Sequence, residues 1–160
     1  FLSNTIIGKR KHTISEFFYR TQHIQQLGGY QIYPAGYYAD DASILLFCNN
    51  NGIASTEESL IVYRKSENNI SSSSCWNVEK SKAALKYYQW IIDEFPMKQQ
   101  DEQIIQQRLD FDLYTYFSAA LNIHQSIQIL NCIPVNIWNW KKKLLCLYKF
   151  ILNSYAKQIK

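Results

Sequence analysis

The sequence predicts an α+β protein: a small mixed α/β part over residues 1–75 and a mostly helical half over residues 76–160, joined in a single domain. Three observations lead there. From Asn77 onward, apolar residues recur three and four positions apart, the period of a helix with one buried face. Before that, residues 30–33 (YQIY) and 42–48 (ASILLFC) are short apolar runs of strand length, each next to turn residues. Glycine and proline number only five and three, too few for a turn-dense β-sandwich and compatible with long helices.

Taken in order, a basic cluster (Lys9, Arg10, Lys11, His12) precedes residues 13–27, TISEFFYRTQHIQQL. This stretch reads as a helix with Thr13 or Ser15 as cap, apolar at Ile14, Phe17, Phe18, Ile24 and Leu27, and stopped by Gly28-Gly29. YQIY then reads as a strand ended by Pro34, and ASILLFC as a buried strand closed by the turn-rich NNNG of residues 49–52. Residues 56–67 (TEESLIVYRKSE) read as a helix, and residues 68–75 (NNISSSSC) as a surface loop. Within that loop Asn69-Ile70-Ser71 is a glycosylation sequon, meaningful only in a secreted protein. Ala84, Tyr88, Ile91 and Phe95 define the first helix of the second half, which Pro96 ends. Ile105, Leu109, Leu113, Tyr116 and Ala120 define the next, and Pro134 breaks a third stretch. Ile137, Trp138, Leu144, Leu145, Tyr148, Ile151, Leu152 and Tyr155 define the last. There is no internal repeat and no linker that would divide the chain.

A chain of 160 residues, 47% hydrophobic and 15% aromatic, can bury a real core and is not a disordered tail. Its net charge of +4 is compatible with an anionic partner without requiring one. No apolar run approaches the roughly 20 residues of a transmembrane helix, so a soluble chain is expected. The sequence opens at Phe1 without methionine, which allows for a targeting segment upstream and leaves the compartment unknown. The cysteines, Cys48, Cys75, Cys132 and Cys146, form no CxxC and have no histidine at zinc-ligand spacing. They read as reduced, partly buried thiols, with two disulfides of a secreted helical factor as the alternative. His12, His23 and His124 fit no ligand spacing, and no nucleophile elbow, zincin, P-loop or dinucleotide motif occurs.

The stretch with the most chemical content is GYYADDASILLF, residues 36–47. Adjacent carboxylates, Asp40 and Asp41, follow a tyrosine and a small residue. Such a pair at the tip of a β-hairpin can hold magnesium, a hard ion that takes oxygen ligands and bridges substrate phosphates. The plainer alternative is that Asp40 or Asp41 caps a helix start or occupies a turn, with ASILLF as core.

The tetrad Tyr38-Ala39-Asp40-Asp41 before an apolar run resembles the catalytic palm motif of reverse transcriptases of non-LTR retrotransposons. NVEKSKAAL (residues 77–85) resembles the asparagine–lysine–serine segment that follows that motif, with Lys80 as its lysine. TEESLIVYRKSE lies between them as the family's palm helix would, and SIQILNCIPVNIW (residues 126–138) is similar to a thumb segment. The resemblance spans roughly residues 29–148. It implies a palm and thumb fragment or relic that binds nucleic acid, with Asp40 and Asp41 as magnesium ligands on a tight hairpin. The only acid before the tetrad is Glu16, and the segment after the lysine reads as helix where the family has a glycine-containing strand. A polymerase site is therefore not complete in this chain alone.

Residues 135–160 hold six lysines and no acid. Trp138 and Trp140 beside Lys141, Lys142 and Lys143 are suited to gripping a phosphate backbone and stacking on bases. The alternative is an amphipathic core helix with a solvated lysine face, and the acids between Asp93 and Asp112 are available to pair with those lysines internally. A further reading makes the chain a non-enzymatic interaction subunit of a larger assembly, with its tyrosines and tryptophans serving core and interface. A protein partner is expected on that reading.

Overall fold

The computed structural model describes residues 16–48, 52–54 and 72–158. Six helices and no strand occur among the described residues: α1 (Thr21–Gln26), α2 (Ala39–Cys48), α3 (Asn77–Glu94), α4 (Gln99–Ser118), α5 (Ile123–Cys132) and α6 (Trp140–Gln158). The expected α+β class is thus replaced by an all-α fold. The expected helix of residues 56–67 and the sequon lie outside the described residues.

Two corrections carry that change. Residues 30–33 pair with no other strand; they run in from the turn at Gly28 and Gly29, both at positive φ, and Gln31 N–H donates to Ser43 Oγ at 2.9 Å. ASILLFC is the body of α2, and Ala42, Ser43, Ile44, Leu45 and Phe47 are all buried. A helix covered on most sides needs no polar stripe, so its sequence is a continuous apolar run that periodicity alone does not separate from a buried strand. The helix expected over residues 13–27 is also shorter than its pattern suggests. Thr13 and Ser15, its cap candidates, lie outside the described residues; among the described ones the helix begins after Arg20 and ends at Gln26, and none of its residues is buried.

From Asn77 to Cys132 the helices follow their apolar pattern. α3 is central and packs against α4, α5 and the short 3-10 turn Pro34–Gly36. Its buried face comprises Ala83, Ala84, Tyr87, Tyr88 and Ile91. The facing side of α4 comprises Ile105, Leu109, Leu113, Tyr116 and Phe117. Asn77 Nδ2–H donates to the carbonyls of Tyr116 (3.0 Å) and Ala119 (3.1 Å), so the start of α3 closes the open end of α4. Asn122 Oδ1 accepts from Gln125 N–H at 2.9 Å and caps α5. Ile129, Leu130 and Ile133 complete the core under fully buried Trp138.

Candidate functional site

α2 decides where the Tyr38–Asp41 tetrad sits. Asp40 and Asp41 occupy its first turn, not a hairpin tip, and Asp41 N–H donates to Asp40 Oδ1 at 3.1 Å. Carboxylates there face the positive end of the helix dipole, a local reason for this pair at this place. The helix begins at Ala39, so both acids lie inside its first turn, past the cap position, and residues 42–47 are mostly core. Among the described residues no group of three or more histidines, cysteines or acids is placed to hold a metal ion.

Tyr38, the first residue of the tetrad, turns inward. Its backbone has φ +66, a left-handed value that costs a non-glycine residue about 1 kcal/mol or more. A buried network holds it there. Tyr38 O–H donates to Asp112 Oδ2 at 2.9 Å, Tyr88 O–H donates to the same oxygen at 2.6 Å, and the Tyr116 hydroxyl lies 2.8 Å from that of Tyr38. Arg108 faces the other carboxylate oxygen at 3.3 Å. The Tyr38 ring stacks on Tyr87, centroids 4.7 Å apart. Burial raises the phenol pKa of Tyr38, Tyr87, Tyr88 and Tyr116 above the ordinary range, and the neighbouring Asp112 adds to it in each case. The network is closed, satisfied and structural.

Lys80, the lysine of the NVEKSKAAL segment, is also buried. Its Nζ donates to Ser73 O at 2.8 Å and lies 5.3 Å from the Tyr37 ring centroid. Desolvation lowers its pKa from the usual lysine value. It ties the approach to α3 onto the helix.

The basic tryptophan-bearing segment divides into an inner and an outer part. Pro134 O accepts from Ile137 N–H and Trp138 N–H, forming a turn that drives Trp138 into the core against Phe117. Trp138 Nε1–H donates to Asp110 Oδ1, the same oxygen that pairs with Lys142, and the Lys142 ammonium lies 4.7 Å from the Trp138 ring centroid. Lys143 Nζ donates to the carbonyls of Leu130 and Ile133 and so closes the end of α5. Internal pairing with the acids of residues 93–112 is therefore present, through Asp110. Of the six residues suited to nucleic acid, Lys80, Trp138, Lys142 and Lys143 have these intramolecular partners. Trp140 and Lys141 remain outside, with the Lys141 ammonium 5.7 Å from the Trp140 ring centroid.

The outer face of α6 is the unexpected feature. Cys146 is buried, and Leu147 and Phe150 pack inward, Phe150 against Phe117 with centroids 5.9 Å apart. Trp140, Leu144, Leu145, Tyr148, Ile151 and Leu152 face solvent; Trp140 is 63% exposed, Tyr148 60% and Leu144 57%. Their spacing places them on adjoining turns of one side of the helix. The amphipathic reading of this segment is inverted. Of the residues expected in the core, Leu144, Leu145, Tyr148, Ile151 and Leu152 lie outside, while Trp138 is fully buried and Ile137 packs against the core, and two of the lysines expected in water are drawn inward.

The four cysteines are free. Burial raises the thiol pKa of Cys48, Cys132 and Cys146, which disfavours the reactive thiolate. No helix among the described residues is long and apolar enough to cross a membrane.

Comparison of the chain with protein-family models, with curated proteins and with solved structures finds no match.

Proposed function

We propose that the chain is an interaction subunit of a larger assembly and docks a partner protein through the outer face of α6. One observation carries this reading: six large apolar side chains, two of them aromatic, share one exposed helix face that nothing else among the described residues covers. A contiguous apolar surface of this kind marks an interaction site, and tryptophan and tyrosine are frequent energetic anchors at such sites. The nucleic-acid reading implied by the reverse-transcriptase resemblance has less support. Four of its six contact residues have partners inside the fold, and Asp40 and Asp41 lie on a helix.

The test is purification of tagged protein from its native source in three forms: unaltered, Leu144→Ser/Tyr148→Ser/Leu152→Ser, and Asp40→Ala/Asp41→Ala. A partner protein is expected with the first and third and not with the second, while all three keep the same far-ultraviolet circular dichroism. Retention of the partner by the triple variant, or recovery of nucleic acid in its place, overturns the reading.

A further inference from the structure

We infer that the surface received by α6 is an amphipathic helix whose apolar stripe is flanked by carboxylates. This rests on the docking reading above and names the partner's chemistry.

Trp140, Leu144, Tyr148 and Leu152 follow one another four residues apart, and Ile151 and Leu145 widen the row. At about 1.5 Å per residue the row is roughly 18 Å long. It is the ridge that the groove of a second helix accepts, whereas an extended strand would meet it with the wrong side-chain period.

Asp112 is the last acid in the sequence, so residues 113–160 carry six lysines and no carboxylate. Lys141 and Lys149 are exposed on α6 in the row next to the stripe, on one side of it, with Leu145 between them. A second copy laid face to face on α6 would set lysine against lysine, a repulsive arrangement. An anionic membrane surface typically draws clusters of about four to eight basic residues. Here Lys142 and Lys143 are held by Asp110 and by the end of α5. A helix with glutamate or aspartate beside its apolar ridge satisfies both the stripe and its two flanking charges.

The experiment uses fluorescently labelled helical peptides long enough to cover the stripe. All share one leucine ridge and differ only in flanking residues: glutamate, glutamine or lysine. Binding to the purified chain is read by anisotropy at low and high salt. The glutamate peptide is expected to bind about fivefold more tightly than the glutamine peptide at low salt, from two surface pairs of roughly 0.5 kcal/mol each. The lysine peptide is expected to be weakest, and the differences to vanish at high salt. Lys141→Glu/Lys149→Glu should reverse the order of the glutamate and lysine peptides.

Equal binding of the glutamate and glutamine peptides overturns the acidic flank and leaves the docking reading standing. Failure of all three peptides overturns the helical partner, while the native purification still decides whether α6 docks a protein. Stronger binding to phosphatidylserine-containing vesicles than to the glutamate peptide overturns the inference in favour of a membrane. Self-association that the triple serine variant abolishes overturns it in favour of a second copy.

Discussion

Replacing Asp112 by leucine should cost about 3 kcal/mol, and much of that cost should disappear when Tyr88 is changed with it. Asp112 is 6% exposed and accepts two tyrosine hydroxyls on one oxygen while Arg108 faces the other. Leucine removes both hydrogen bonds. Tyr38 keeps the Tyr116 hydroxyl at 2.8 Å, but Tyr88 loses the carboxylate to which it donates. An orphaned buried hydroxyl costs about 1–3 kcal/mol, and the two lost bonds to a charged acceptor are each worth roughly 1.5–3 kcal/mol before compensation. Leucine's apolar burial and the removal of a desolvated charge offset part of the sum, which leaves about 3 kcal/mol. Tyr88→Phe alone should cost about 1.5 kcal/mol. In the double variant no orphan hydroxyl remains at position 88, so the loss should fall short of additivity by about 1–2 kcal/mol. Urea unfolding followed by circular dichroism at neutral pH measures all four corners of the cycle, with an unchanged m-value as control. A loss below about 0.5 kcal/mol for Asp112→Leu, or strict additivity, would refute the claim that Asp112 and Tyr88 are coupled in a buried hydrogen-bond network.

Other perturbations separate the remaining roles. Asp40→Ala/Asp41→Ala should lower stability by no more than about 2 kcal/mol, the scale of two first-turn carboxylates at a helix N-terminus, and a thermal melt showing a loss above about 4 kcal/mol would assign them a larger task. Trp138→Ala should cost about 3–5 kcal/mol because it empties a fully buried site, whereas Lys142→Ala should cost under about 1 kcal/mol because its ion pair is partly solvated; chemical denaturation compares them. The buried phenols make the fold sensitive to alkali. Their folded-state pKa values lie above the unfolded value of about 10, Tyr33 at about 12 and Tyr38, Tyr87, Tyr88 and Tyr116 raised as well, so their contribution is whole below pH about 10 and is lost as pH rises beyond it. Tyrosinate absorbance should therefore rise together with loss of helical signal; ionisation of these tyrosines at pH about 10 with the helices intact would contradict their burial.

The helices of residues 77–132 were readable because each buries one face, so period and burial agree. Ile105, Leu109, Leu113 and Tyr116 are both the pattern and the core. α2 was not readable, because burial on most sides erases the period that separates helix from strand. The tetrad misled for a related reason. Its order of residue types fits a metal hairpin, but its tyrosine is fixed by Asp112, seventy-four positions away, and no local pattern announces such a partner. The pairing of the C-terminal lysines with an upstream acid could be foreseen from charge alone. Which acid, and that Lys143 would close α5 instead, depended on how the helices cross.

The inversion of α6 has a consequence for how stability and docking are divided. The helix is fastened to the rest of the chain by Trp138, the Asp110–Lys142 pair, the Lys143 contacts to α5 and the inward Cys146, Leu147 and Phe150. Among the described residues the outer row takes no part in that fastening. Each half-exposed leucine or aromatic there would gain on the order of 1 kcal/mol on being covered, so six of them supply roughly 6 kcal/mol towards association and almost nothing towards folding. Serine at 144, 148 and 152 should accordingly change the unfolding free energy measured in urea by no more than ordinary surface substitutions do, about 0.5 kcal/mol each, while removing half of the docking surface. A large drop in stability would mean that the row is covered within the chain itself, and the docking face assigned to α6 would not exist.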